Sequence, residues 1–262
     1  MSPVTSLLVE RNEAVVRLTL NRPDVGNAID VPLARSLLEQ AIHCEEDDSV
    51  RCVVLTGAGR MFCAGGDLAS FVAAGENVSA LIKEITAYLH GAIARLAKMG
   101  KPLVTAVNGP AAGAGFSLAL LGDVVLADPS AHFTVAYTAV GLTPDGGATW
   151  LLPRLVGLRR AQELVLTNRR VTAEEGVALG LITRTVAEGS LATSAMSLAR
   201  ELAMKATGAL GEARRLLQAS FESSFETQMD RESRTIAAAA RTPHGREGVA
   251  AFLAKRKPDF SR

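Results

Sequence analysis

From Pro102 to Gly122 the chain carries no charged side chain, a run long enough to cross a bilayer as one helix. Pro102, Asn108, Gly109, Pro110, Gly113 and Gly115 break it, at intervals that no lipid-exposed helix favours. The run therefore reads as a buried strand over Leu103–Val107, a loop, and a buried apolar helix over Phe116–Leu121. Strands and helices alternate around it. Ser6–Glu10, Ala14–Leu20, Val50–Leu55 and Asp123–Ala127 are strand-like, and in the second of these Val15, Arg17 and Thr19 alternate with Val16, Leu18 and Leu20. Val31–Cys44, with Asp30 as N-cap and Pro32 in its first turn, and Asn77–Lys98 have helical spacing. This alternation predicts an α/β architecture with parallel neighbouring strands.

Beyond Thr172 the strand signal is confined to Ile182–Val186. Thr172 and Glu175 form a capping-box pattern, and Ser190–Lys205, Gly211–Phe221, Phe225–Arg241 and Gly245–Lys255 read as helices. The expected organisation is an α/β core over residues 1–200 and a helical C-terminal region over 201–262.

The 28 basic and 27 acidic side chains leave a net charge of +1, without the field expected of a nucleic-acid binder. Glu10, Arg11 and Glu13 interrupt any signal-peptide core in MSPVTSLLVERNEAVV, and no membrane attachment is expected. Cys44, Cys52 and Cys63 are odd in number and form no CxxC pair, so neither a disulfide framework nor a zinc site is indicated. His43, His132 and His244 show no ligand spacing, and no metal is expected. A reducing cytoplasm is the expected location.

Two loops carry the chemistry. FCAGGDL (Phe62–Leu68) and NGPAAGAGFSLAL (Asn108–Leu120) each follow a strand, and each can aim a backbone N–H at one point. Two converging N–H groups make an oxyanion hole. In the second loop Gly113-Ala114-Gly115 opens an apolar helix whose first amides favour negative charge. The GxGxxG spacing of a dinucleotide site fails at Leu118, and no GxxxxGK[ST] phosphate loop occurs. A third segment, GLTPDGG (Gly141–Gly147), adds Asp145. A Pro-Asp-Gly-Gly loop commonly uses its aspartate in an Asx turn; beside the two loops, catalysis is the better reading. Ser117 in GFSLA lacks the last glycine of a nucleophile elbow and reads as a buried helix serine.

The segments LTLNRPDVGNAI, VVLTGAGRMFCAGGDL, KPLVTAVNGPAAGAGFSLAL, GLTPDGGATWLLPRLVG and REGVAAFLAKRKPDF resemble, in order, the enoyl-CoA hydratase/isomerase (crotonase) superfamily. The resemblance runs from Leu18 to Phe260. It implies a spiral of ββα units with a C-terminal helical trimerisation region, assembled as a homotrimer or as a hexamer of two trimers. It also implies an acyl-CoA ligand, with no cofactor beyond the coenzyme A that the substrate carries. Matching positions give the hole's N–H groups to Gly66 and Ala114, and place Ala64, Asp67 and Leu68 along the path of the CoA ester.

Hydratases of the superfamily carry two glutamates where this chain has Ser117 and Tyr137, so two-glutamate activation of water is unavailable. Tyr137 then belongs to the substrate-binding wall. The PD arrangement at Asp145 resembles the isomerases, the 1,2-epoxyphenylacetyl-CoA isomerase group among them. The implied reaction moves a double bond. The hole stabilises an enolate while Asp145 removes a proton and returns it two carbons along, and burial beside Leu142 and Trp150 would strengthen it as a base. His90 matches a histidine of 4-chlorobenzoyl-CoA dehalogenases, although a lone helix histidine is more often packed or solvated. Phe71 and Val72, in the stretch from Phe71 to Leu81, suggest an apolar wall over the acyl pocket, and Lys257 matches a position at the nucleotide end of CoA. The alternatives are a hydratase with relocated catalytic groups, a dehalogenase or thioesterase, and a non-catalytic binding protein.

Overall fold

A computed structural model describes residues 5–260 of the chain; the first four residues of the segment read for a signal peptide lie outside them. A six-stranded sheet takes the order β1 (Leu7–Asn12), β2 (Val15–Leu20), β3 (Cys52–Gly57), β4 (Leu103–Val107), β6 (Val124–Ala127), β9 (Arg184–Thr185). Only the β1–β2 hairpin is antiparallel. A second sheet joins β5 (Ala111–Ala112), β7 (His132–Thr134) and β8 (Val171–Thr172). Strands of the large sheet hand the chain to this second layer and then to a helix. Thus β4 leads through β5 to α4 (Ala114–Ala119), and β3 leads through a bridge at Cys63–Ala111 to α2 (Leu68–Ala74). This repeated unit is the ββα spiral that the resemblance implies.

Burial on both faces explains the apolar strands. In β3, Val53 and Leu55 face the main core with Leu18, Leu20, Leu103 and Val107. Cys52 and Val54 face the opposite way with Val15, Val104, Ala106 and Leu126. That second face is covered by α8 (Leu191–Ala203), whose Leu191, Ala195, Ala199 and Ala203 form a stripe at four-residue spacing. A domain boundary at 200/201 would fall inside this helix. On the main-core side lie α1 (Val31–Glu46) and α3 (Val78–Lys98), packed along each other. Asp30 caps α1 by accepting from the Leu33 N–H at 2.9 Å, as its position before Pro32 predicts. Thr172 likewise accepts from the Glu175 N–H at the start of α7 (Ala173–Leu179), but Glu175 pairs with Arg169, so half of the expected capping box forms.

The C-terminal helices are α9 (Thr207–Ala219), α10 (Phe225–Arg241) and α11 (Pro243–Leu253). Buried Arg214 binds α9 to the core. Its guanidinium donates to Asp123 and to the carbonyls of Leu96, Ala97, Met99 and Lys101, which end α3 and lead into β4. Lys101 does the same for α1, donating to the carbonyls of Cys44, Glu45 and Asp47. Each cation stands where a helix leaves its last carbonyls unpaired.

Candidate active site

Both glycine loops leave the sheet from parallel neighbours, β3 and β4, and close on each other. Phe62 and Cys63 donate to the carbonyl of Pro110, and Ala112 donates to the carbonyl of Cys63 at 2.9 Å. Buried Asn27 secures the approach, its amide donating to the carbonyls of Ala58 and Met61. Gly65 adopts φ +105, a conformation open to glycine, and a Cβ there would lie 3.0 Å from the Ala112 carbonyl.

The hydrogen bonds of these loops decide which amides are free. The bridge between Ile29 and Gly66 is made by the Ile29 N–H on Gly65 O (2.7 Å) and the Asp67 N–H on Ile29 O (3.0 Å). A parallel bridge of this kind leaves the N–H of the central residue, Gly66, unused. Ala114 opens α4, where a first-turn N–H has no partner within the helix. Among the hydrogen bonds of the described residues, neither the Gly66 nor the Ala114 N–H has a protein acceptor. Both residues line one cavity of about 260 Å³.

Asp145 lines the same cavity. Its loop lies between a 3-10 turn at Thr138–Val140 and α5 (Ala148–Val156). The Tyr137 hydroxyl donates to Oδ1 at 2.5 Å, and His90 Nε2 stands 3.0 Å from Oδ2. The Gly146 N–H also reaches His90 Nε2, at 3.2 Å. Ser117, 1% exposed, donates from Oγ to the Asp145 carbonyl at 2.9 Å and lies 3.1 Å from the Tyr137 hydroxyl. Burial, followed by the Asp145 charge, pushes the Tyr137 phenol far above its ordinary range. Tyr137 is therefore a neutral donor at working pH.

The expected setting of Asp145 needs correction. Leu142 lines the cavity, but Trp150 is absent from its wall and stacks edge-on against Phe221 with Arg154 over its ring. Hydrogen-bonding groups rather than apolar side chains hold the carboxyl. The remaining expectations separate in the same way. Ala64, Leu68 and Tyr137 line the cavity with Gly66, Ala114 and Asp145. Asp67 does not: its side chain caps α2 by accepting from the Ser70 N–H and pairs with Arg22 at 3.0 Å. Burial works against that charge, but the Ser70 amide and the Arg22 guanidinium together hold the carboxyl below its usual range.

Phe71 forms apolar wall as expected, whereas Val72 is 83% exposed. Of the stretch from Phe71 to Leu81, Phe71 alone lines the cavity, and more of its wall comes from Ile82, Ile85, Thr86 and Leu89 on α3 and from Val140 and Leu142. His90 follows Leu89, and it is the site residue that the sequence reading undervalued. Its signal is position: 82, 85, 86, 89 and 90 share one helical stripe. Lys257 is exposed in the segment after α11. Among the described residues no cluster of three or more His, Cys, Asp or Glu could hold a metal ion, and no helix is long and apolar enough to cross a membrane.

Two unpaired amides facing a cavity that also holds one carboxyl correspond to the polarising apparatus of a CoA-thioester enzyme. The sequence matches the enoyl-CoA hydratase/isomerase family over residues 10–262. The chain belongs to this family. Over 97% of its length it is 41% identical to a 1,2-epoxyphenylacetyl-CoA isomerase of Escherichia coli K12, 98% of which is covered. It is 32% identical to a 4-chlorobenzoyl coenzyme A dehalogenase-2 of an Arthrobacter species, with 94% of this chain and 90% of that protein covered. Its fold superposes on an enoyl-CoA hydratase from Polaromonas sp. JS666 with a TM-score of 0.92 at 33% identity, covering 97% of this chain and 98% of that one. Enzymes of the enoyl-CoA hydratase/isomerase family thus share this spiral while differing in reaction, and the reaction must be argued from the side chains.

Proposed function

We propose that this enzyme shifts a double bond in an enoyl- or ring-derived acyl-CoA by enolate-stabilised proton transfer. The thioester oxygen takes the Gly66 and Ala114 N–H groups, which spread the charge of the enolate and make the adjacent C–H acidic. Asp145 removes a proton from one carbon and returns it two carbons away. Ala64 and Leu68 flank the path of the ester, with Asp67 fixing that loop from behind. Tyr137 closes the wall beside the carboxyl. The substrate brings its own coenzyme A, and the chemistry needs no other cofactor and no metal.

The observation that carries this reading is the cavity's acid–base inventory: Asp145 is the one carboxylate among the residues lining it. One proton carrier suffices for a 1,3-shift, whereas hydration by paired carboxylates needs a second. The apolar side chains exposed on α9–α11, Leu217, Phe225, Ile236 and Phe252 among them, fit the surface of a homotrimer or of paired trimers. Three buried free thiols fit a reducing cytoplasm.

The test is a panel of enoyl-CoA esters in D₂O, read by mass spectrometry. A product with its double bond moved, no added oxygen, and any deuterium confined to the two carbons between which Asp145 passes the proton is the expected result. Asp145→Ala should lower kcat by roughly 10²- to 10⁴-fold with ester binding nearly intact. Incorporation of solvent oxygen, or turnover unchanged in that variant, would overturn the assignment. A second reading, removal of halide from an aryl-CoA, is favoured by one contact, His90 Nε2 to Asp145 Oδ2 at 3.0 Å. Halide release from 4-chlorobenzoyl-CoA would select it.

A further inference from the structure

Resting on the reading of Asp145 as proton carrier, we infer that Tyr137 and Ser117 form a reversible hydroxyl chain that serves this carboxyl in both of its protonation states. The argument is a count of protons. Three contacts link the groups: Tyr137 hydroxyl to Asp145 Oδ1 at 2.5 Å, Tyr137 hydroxyl to Ser117 Oγ at 3.1 Å, and Ser117 Oγ to the Asp145 carbonyl at 2.9 Å. The two hydroxyls own one proton each. While Asp145 is ionised, Tyr137 donates to Oδ1 and the one Ser117 proton serves either the phenol oxygen or the Asp145 carbonyl, which the Ala148 N–H also reaches at 3.1 Å. When the substrate C–H breaks, its electron pair stays on the enolate and its proton joins the carboxyl. Three protons then fill three contacts in the reverse sense: Asp145 to Tyr137, Tyr137 to Ser117, Ser117 to the Asp145 carbonyl. Returning the proton to carbon restores the first arrangement, so nothing is consumed.

Burial gives the chain its force. Ser117 is 1% and Tyr137 9% exposed, so a proton or lone pair left over in either state has no water to take it. Ser117 is a positioning residue here: it acts through Tyr137 and accepts the phenol's proton only when Asp145 is neutral. Two titratable groups face Asp145, Tyr137 from the segment before the 3-10 turn and His90 from α3. His90 sits on the other carboxylate oxygen and is unchanged in every variant below.

The chain predicts shifts of opposite sign in the acid limb of the kcat–pH profile, which reports the enzyme–substrate complex. Tyr137→Phe removes a charge-assisted donor to the carboxylate, and should move the limb up by about one pH unit. Ser117→Ala leaves the phenol proton without an acceptor only in the neutral state, disfavours that state, and should move the limb down by a similar amount. Ser117→Cys leaves no cavity, its sulfur being somewhat larger than the oxygen, but accepts poorly, and should follow the alanine variant, which separates hydrogen bonding from the loss of a side-chain atom. Limbs that stay in place, or that move together, with Asp145→Asn inactive, would overturn the chain while leaving Asp145 as proton carrier. Asp145→Asn with wild-type turnover would instead remove the reading on which the chain rests.

Discussion

A Cβ placed on Gly115 would lie 2.2 Å from the carbonyl oxygen of Cys63. The two loops that carry Gly66 and Ala114 therefore touch through bare backbone, and this contact sets the separation of their N–H groups. Gly115→Ala must push the loops apart. The expected loss is about 3 kcal/mol of stability, together with a fall in kcat that exceeds the rise in KM. Urea unfolding and steady-state kinetics on one preparation measure both.

His90 meets Asp145 from outside the cavity wall, through Nε2 on Oδ2. That ring nitrogen either donates to the carboxylate oxygen or accepts from the Gly146 N–H, and in the tautomer that carries its proton on Nε2 His90 holds the carboxyl. His90→Ala should lower kcat roughly tenfold, the scale of one hydrogen bond to a charged group that is partly open to water. KM for the CoA ester should move less than about twofold, because His90 holds the carboxyl rather than the ester. An unchanged kcat would make the contact incidental.

Arg214 is the bolt between α9 and the core. Arg214→Met removes the charge while keeping much of the stem, and leaves Asp123 and four carbonyls short of a donor. Breaking such a buried pair costs about 3 kcal/mol or more. The unfolding midpoint should drop accordingly, with kcat of the folded fraction close to wild type.

Asp67 ties stability to pH. Its folded carboxyl titrates below its unfolded value, with the Ser70 amide and the Arg22 guanidinium outweighing burial. The stabilisation is therefore full above the unfolded value of about 4 and is lost as pH falls through the folded one. Asn can still cap α2 but cannot pair with Arg22. Asp67→Asn should cost about 1 kcal/mol at pH 7, and the gap to wild type should narrow below about pH 4. Denaturant curves at the two pH values check the sign.

Much of the fold was legible because burial writes long patterns. Leu103–Val107 and Phe225–Arg241 fall where apolar run and helical spacing place them. The second sheet was not legible: β5 and β8 span two residues each and β7 three, too few for a period of two to show. The helix Ala148–Val156 contains Pro153, which argues against a helix when read locally. At the site, the glycine loops were easiest to read, since a Cβ at Gly65 or Gly115 would meet backbone of the facing loop. Side-chain partners were hardest. Ser117 is one hydroxyl in an apolar helix, and its worth depends on Tyr137 and Asp145, brought beside it by the intervening strands β6 and β7.

The amides proposed to grip the thioester belong to the main chain, fixed by strands that also hold up the core, whereas the wall proposed to receive the acyl group consists of side chains on α2, α3 and the Tyr137–Leu142 segment. Point substitutions along α3 can therefore retune which acyl group is accepted without disturbing how its carbonyl is activated. Specificity in this scaffold is free to drift, while activation is inherited with the fold.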